Sequence, residues 1–123
     1  LSDARVLAID SNLRAVDLLA HNATQADLST RVQARALDAG DRTALARDVN
    51  VWFDELARGN IGGAGSRAFD LVLSNPPTHA PPEVLASMLA GSIERLAPRG
   101  RIFAVVNRAG RALTAMQDSG LHV

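Results

Sequence analysis

The residues best placed to do chemistry are Asn75, Pro76 and Pro77, which directly follow the apolar run Phe69–Ser74. Each proline fixes a φ angle and removes a backbone donor, so the chain is stiff and extended here. One amide side chain and one or two backbone carbonyls are then left free just past the end of a strand. A rigid row of hydrogen-bond acceptors is what an enzyme needs to grip an NH2 group.

An acidic residue, Asp10, ends the earlier apolar run Arg5–Asp10. In doubly wound α/β folds, ligands bind over the carboxyl ends of the strands, and an acid there accepts ribose hydroxyls. With the Asn-Pro-Pro corner downstream, this interpretation is favoured over a solvated or helix-capping carboxylate. The neighbouring Ser11 and Asn12 are placed to cap a helix or to touch an adenosine.

The segment Asp70–Pro77 resembles motif IV of the S-adenosylmethionine-dependent amino-methyltransferases, which reads Asn/Asp-Pro-Pro-aromatic. With His79 after it, the chain is similar to the small-domain methyltransferases typified by the ribosomal RNA small-subunit guanine-N2 methyltransferase C group, where Asn-Pro-Pro-Phe-His is common. The resemblance implies a Rossmann-like class I methyltransferase fold and S-adenosylmethionine as cofactor. Position 78 departs from the pattern, because Thr78 stands where an aromatic ring normally stacks on a flipped base.

The resemblance implies a catalytic role for Asn75, Pro76, Pro77 and Thr78, and substrate contact for His79. Asn75 Oδ1 and the Pro76 carbonyl accept the two N–H bonds of the target amine, which draws its nitrogen toward tetrahedral geometry. The lone pair then points at the methyl group to be transferred, so orientation and fixed dipoles supply the rate. No metal and no covalent intermediate is required.

The resemblance also implies a cofactor site at the ends of two other strands. Asp38 follows the run Arg31–Leu37, and in the family an acid or amide at this place often contacts the adenine amino group. Asp41 is a competitor for that role, and a plain turn acid is an equal alternative for Asp38. The implied cofactor-binding residues are Asp10, Ser11, Asn12 and Asp38.

The composition limits the class of protein. A chain of 123 residues forms one domain at most, and 47% hydrophobic with 21% charged residues is typical of a globular protein. It holds no apolar run near the ~18 residues that a membrane span needs. It has no cysteine, which excludes disulfides and Cys-ligated metals and fits a cytoplasmic location. The oligomeric state is left open.

The charges are balanced overall but uneven along the chain. The net charge is zero, which argues against broad non-specific binding of nucleic acid. After Glu94 no acid occurs until Asp118, and five arginines fill the interval. Compositional bias is one explanation and a phosphate-facing patch the other. These arginines are Arg95, Arg99, Arg101, Arg108 and Arg111.

The hydrophobic pattern predicts strands alternating with helices. Buried strands are expected over 5–10, 69–74 and 101–107, and a half-exposed one over 31–37. Helices are expected from residue 11 or 12 to about 23, over 43–58, from 81 to an end at 98–100, and over 108–118. The start of a further strand is expected at 120–123. Alternation of this kind predicts a mostly parallel, doubly wound sheet.

The remaining unusual residues have structural interpretations. The glycine-rich stretch 59–66 follows a helix and lacks Lys-Ser/Thr, so a surface loop is favoured over a phosphate loop. Trp52 and Phe53 are expected in the core, and His21 and His122 at structural or surface positions. The family's glycine-rich first strand-turn and its terminal hairpin have no counterpart in residues 1–123, so we expect a single methyltransferase-like domain that is truncated at both ends.

Two classes of function follow from these residues. The leading hypothesis is an S-adenosylmethionine-dependent enzyme that methylates a guanine amino group in ribosomal RNA. The N6 amino group of adenine in nucleic acid and the side-chain amide of a protein glutamine are alternative substrates, because Asn-Pro-Pro can bind their NH2 groups in the same way. The second hypothesis is a non-catalytic scaffold or RNA-binding fragment, and an unrelated Rossmann-like nucleotide binder is a third.

Overall fold

A computed structural model describes residues 3–59, 67–77, 79–106 and 109–118. The chain divides into two units, Leu1–Ala39 and Gly40–Val123. The prediction of one domain over residues 1–123 stays a prediction. The expected strand at 120–123 and most of the 59–66 loop lie outside the described residues.

The first unit is a strand–helix–strand unit with a parallel pair. Strand β1 (Val6–Asp10) and strand β2 (Val32–Ala36) pair in parallel with Val6 opposite Val32 and Asp10 opposite Ala36. Helix α1 (Leu13–Gln25) connects them and packs on both. It ends in a turn in which Asp27 adopts a left-handed φ of 55°, a conformation that Asp tolerates better than most residues.

The second unit contains three helices and another parallel pair. Helix α2 (Arg42–Arg58) precedes strand β3 (Phe69–Ser74), and helix α3 (Pro82–Ile93) connects β3 to strand β4 (Leu96–Ala104). Helix α4 (Ala109–Asp118) follows. Helix α3 packs against α2, α4 and β4. Parallel strands joined by helices confirm the predicted α/β class.

The core of the second unit is centred on α2 and α3. Trp52 is 4% exposed and stacks on Phe69 with ring centroids 5.5 Å apart, while Phe53 meets the Trp52 ring edge-on at 5.0 Å. Leu89 is the most deeply buried large side chain. The predicted core position is therefore confirmed for Trp52, whereas Phe53 is only half-buried beside it.

The boundary between α3 and β4 corrects the sequence prediction. The helix ends at Ile93, and Leu96 together with Pro98–Gly100 belongs to β4. The Arg95 carbonyl accepts a hydrogen bond from the Phe69 N–H at 2.7 Å, so pairing with β3 overrides the apolar helical spacing. The strand also ends earlier than expected, at Ala104.

The β3–β4 pair is irregular where the β1–β2 pair is regular. Phe69 lies opposite Leu96, but Leu71 lies opposite Arg101, so β4 bulges outward between these two points. A bulge tolerates Pro98 because no ladder donor is needed there. Gly100 is required by the close approach, since a Cβ would lie 2.9 Å from the Phe69 carbonyl oxygen and 2.6 Å from Leu96 Cγ.

One side of the β3–β4 pair is more exposed than the apolar pattern predicts. Leu71, Leu73, Phe103 and Val105 are between 49% and 74% exposed. Their strand neighbours on the other side are partly covered. The expectation of strands buried on both faces is wrong here, because an apolar run does not by itself show that both faces are packed. Leu13, the first residue of α1, is likewise exposed.

None of the helices within the described ranges is long and apolar enough to cross a membrane.

Candidate functional site

Asp10, at the carboxyl end of β1, has an exposed carboxylate. Its Oδ1 accepts a hydrogen bond from the Asn12 backbone N–H at 2.7 Å and so closes the turn into α1. Asp10 Oδ2 bonds to no residue of the described chain. Oδ1 therefore orders the turn, and Oδ2 is left to accept a hydrogen bond from a ligand.

Asn12 is committed to starting α1. Its side-chain oxygen accepts from the Arg14 N–H at 3.0 Å, which makes it the N-cap, and its backbone carbonyl accepts from Val16. Ser11 lies between Asp10 and Asn12 and is exposed. The capping role predicted for Ser11 or Asn12 thus falls to Asn12, and contact of either residue with an adenosine stays a prediction.

Asp38 lies at the same edge of the first unit as Asp10. The Leu37 N–H donates to the Asp10 carbonyl at 3.0 Å, so the parallel ladder continues past Ala36. Leu37 is buried and Asp38 is exposed. Asp10 and Asp38 therefore both lie at the edge where β1 and β2 end. Contact of either with a cofactor stays a prediction.

Asp41, the alternative to Asp38, has a structural role in the second unit. Its Oδ1 accepts a hydrogen bond from the Ala44 N–H at 3.0 Å, which caps α2. This bond occupies one of its oxygens at the start of the helix. The choice between Asp38 and Asp41 as the acid that meets the adenine stays a prediction.

The Asn-Pro-Pro corner continues directly from the end of β3. The Val105 N–H donates to the Ser74 carbonyl at 2.9 Å, so pairing with the neighbouring strand persists to the last residue before the corner. Asn75 and Pro77 are exposed, whereas Pro76 between them is buried. The buried Pro76 anchors the corner, and Asn75 beside it is exposed.

The carbonyls of the two prolines differ in availability. The Pro77 carbonyl accepts from the Ala80 N–H at 3.1 Å, in a turn that leads into α3. The Pro76 carbonyl and the Asn75 side chain bond to no described residue. These two acceptors, which have no partner among the described residues, are the pair that the resemblance assigns to the amine. The sequence alone did not separate the prolines, since a turn bond from Ala80 has no clear sequence signal.

The structure leaves part of the predicted site untested. Thr78 lies outside the described residues, and His79, just after it, is exposed. Pro81 then precedes the first residue of α3 at an extended backbone conformation, with φ −54° and ψ 148°. The substrate contact of His79 stays a prediction.

The arginine-rich interval is only partly free to meet a ligand. Arg95 donates to Asn50 Oδ1 at 3.2 Å, while Glu94 pairs with Arg42. Arg99 and Arg101 are exposed on β4, and position 108 lies outside the described ranges. The side chain of residue 111 is likewise outside what the structure describes, so the phosphate-facing patch stays a prediction that rests on Arg99 and Arg101.

No set of three His, Cys, Asp or Glu side chains in the described parts of the chain is arranged to hold a metal ion. The acceptors of the corner are neutral amide oxygens. They suit an N–H donor better than a cation.

Comparison with known families identifies one match. The model of the family described as methyltransferase small domain matches residues 28–120, about three quarters of the chain. The match includes Asp38 and the Asn75–His79 corner, and it begins after Asp10. It supports the Rossmann-like methyltransferase fold expected from the resemblance. No curated protein and no solved structure matches the chain significantly.

Proposed function

The chain belongs to the methyltransferase small domain family, and on that premise we propose that it is an S-adenosylmethionine-dependent N-methyltransferase. Its target is an exocyclic amino group, and we propose a guanine of ribosomal RNA. The observation that carries this proposal is the pair of open acceptors at the corner, Asn75 Oδ1 and the Pro76 carbonyl.

The corner suits a planar amine because such a nitrogen is a weak nucleophile. Its lone pair is delocalised into the ring or carbonyl to which it is attached. Two fixed acceptors that bind its two N–H bonds favour a pyramidal nitrogen, and the lone pair then points along one direction. The oxygens are held in place by the buried Pro76 and by the turn at Pro77, so little reorganisation is needed during the reaction.

A neutral amide is the right kind of acceptor for this step. While the nitrogen gains a methyl group it acquires positive charge, which the two oxygen dipoles stabilise. The surplus proton leaves afterwards to water, since the methylated amine is then strongly acidic. Neither acceptor has to change its protonation state.

The residues at the β1–β2 edge fit the cofactor. When bound, S-adenosylmethionine supplies the electrophilic methyl group. Asp10 Oδ2 is open and exposed, which suits a bond to ribose hydroxyls, and Asp38 lies at the same edge to meet an adenine amino group. Asn12 orients Asp10 by donating its backbone N–H to the carboxylate.

The choice of RNA as the substrate rests on three exposed side chains outside the acceptor pair. His79 is exposed next to the corner and can stack on or bond to a base, and Arg99 and Arg101 are exposed cations that suit phosphate. Adenine in nucleic acid and glutamine in a protein carry the same amide-like NH2 group. They are the competing substrates that the experiment must include.

The experiment has a binding arm and a transfer arm. Isothermal titration of the 123-residue chain with S-adenosylhomocysteine should give saturable heat, whereas a non-catalytic scaffold should give none. In the second arm, methyl-labelled S-adenosylmethionine is offered with unmodified small-subunit ribosomal RNA, with DNA, and with a glutamine peptide. We expect label in guanine of the RNA. Label in adenine or glutamine alone would refute the substrate, and label in none would refute the activity.

A further inference from the structure

Ser87, in the second turn of α3, makes a hydrogen bond that its position in a helix does not explain. A helical serine commonly donates to the carbonyl four residues earlier. Ser92 in the same helix does this, with its Oγ 2.9 Å from the Met88 carbonyl oxygen. Ser87 Oγ instead donates to the carbonyl of Gly40, 47 positions away, at 3.0 Å in a partly buried site.

The atom that Ser87 holds belongs to the segment proposed to meet the cofactor. Gly40 comes two residues after Asp38 and directly before Asp41, the cap of α2. A glycine has wide backbone freedom, so a bond to its carbonyl restricts the position most able to vary. The cap at Asp41 restrains the same segment from the start of α2.

Helix α3 is a firm support for this bond. Its start follows the Asn-Pro-Pro corner through the turn at Pro77–Ala80. Farther along, a Cβ on Gly91 would lie 3.0 Å from Leu45, so α2 and α3 approach closely. Glu94 at its end pairs with Arg42 at the start of α2. The Ser87 hydroxyl thus lies on a helix that is held in place both before and after residue 87.

We propose that Ser87 is a positioning residue for cofactor binding: its hydroxyl fixes the Gly40 carbonyl and thereby orders segment 38–41, from which Asp38 binds the adenine. This inference rests on the proposed function and adds a residue that touches neither cofactor nor substrate. Loss of the hydroxyl leaves the Asn75 corner intact. It should therefore alter the affinity for the cofactor and not the rate of transfer from the bound state.

The test compares Ser87→Ala with Ser92→Ala, a matched loss of a serine hydroxyl from the same helix. Titration of each full 123-residue chain with S-adenosylhomocysteine should give a Kd raised about three- to tenfold for Ser87→Ala, the worth of one hydrogen bond. Ser92→Ala should keep the wild-type Kd. The KM for S-adenosylmethionine should rise by the same factor for Ser87→Ala at constant kcat.

A rescue variant and thermal unfolding separate positioning from general destabilisation. Ser87→Thr keeps a hydroxyl and should restore the Kd, whereas Ser87→Val, of similar shape, should not. Equal Kd values for the Ser87→Ala and Ser92→Ala chains, or for the Thr and Val variants, would overturn the proposal. So would a Kd that changes only in step with Tm. Absence of binding by the wild type would instead overturn the proposed function, and this inference with it.

Discussion

The carboxyl ends of the two parallel strand pairs occupy equivalent places in their units but are built differently. At the end of β1, the side chains of Asp10 and Asn12 are both drawn into the start of α1. At the end of β3, Asn75 and Pro76 follow the strand directly, and the Asn75 side chain and the Pro76 carbonyl bond to no described residue. The first edge is charged and folded into a turn, while the second is neutral, stiff and open.

The difference shows how one location in an α/β fold can serve two chemical tasks. A carboxylate suits the hydroxyls of a ribose, and a helix start orders it at little cost because the turn satisfies one oxygen. An amine that is to receive a methyl group needs hydrogen-bond acceptors that stay in place and do not remove its proton. Two prolines provide this, since they remove backbone donors that would otherwise bond to the same oxygens.

Replacement of Asn75 should have the largest effect. We expect Asn75→Ala to lower the methyl-transfer rate about 100- to 1,000-fold, the range for removal of one fixed dipole from an active site, while the Kd of S-adenosylhomocysteine stays unchanged. Asn22→Ala, at an exposed amide in α1, is the control. The rate is measured with saturating cofactor, and an unchanged rate would remove Asn75 from the mechanism.

Replacement of Asp10, at the end of β1, should weaken cofactor binding. We expect Asp10→Ala to raise the Kd of S-adenosylhomocysteine about 10- to 100-fold, as befits a charge-assisted bond, with a smaller effect on the rate from the bound state. Asp17→Ala removes an exposed acid of α1 and should change neither. Titration calorimetry decides the matter: a Kd equal to that of wild type would mean that Asp10 only shapes the turn.

Gly100 tests the irregular pairing found in β3–β4 and absent from β1–β2. Gly100→Ala should lower the free energy of unfolding by about 1–3 kcal/mol through overpacking, because the new Cβ meets the Phe69 carbonyl and Leu96. Gly110→Ala, where a Cβ has nothing within 4 Å, should be neutral or stabilising. Urea unfolding measures both, and equal stabilities would mean that the bulge relaxes freely.

The smallest effect should come from the helix cap beside Asp10. Asn12→Ala removes the acceptor for the Arg14 N–H and should cost about 1 kcal/mol of stability. Asp41→Ala removes the corresponding cap of α2, and a similar loss is expected. Chemical denaturation of both variants checks this. A much larger loss for Asn12 alone would show that the cap also supports the β1 edge.

Much of the fold follows from local pattern. The bounds of β3 agree with the prediction to the residue, and α1, α2 and β2 agree within a residue or two. Periodicity in those segments is strong and their ends carry caps or turns. The boundary at Ile93–Leu96 cannot be predicted from local pattern, because the apolar spacing continues beyond the end of the helix. The pairing of Arg95 with Phe69 decides where the helix ends.

The candidate site divides in the same way. Asn75 and Asp10 stand out in the sequence because their types occur directly after apolar runs. The distinct roles of Pro76 and Pro77, and the bond from Ser87 to Gly40, do not stand out. They depend on which carbonyl a distant or neighbouring donor reaches, and no spacing rule encodes that.

The amino-acid sequence by itself determined the α/β class, the parallel pairing and the stiff acceptor corner, because these depend on local sterics and hydrophobic period. The tertiary structure alone decided which acceptors remain open, where β4 begins and which faces of the strands are covered. The turn bond from Ala80 settles the Pro77 carbonyl, and the pairing of Arg95 with Phe69 settles the start of β4. The covering of the strand faces depends on packing, which forms only once the elements come together.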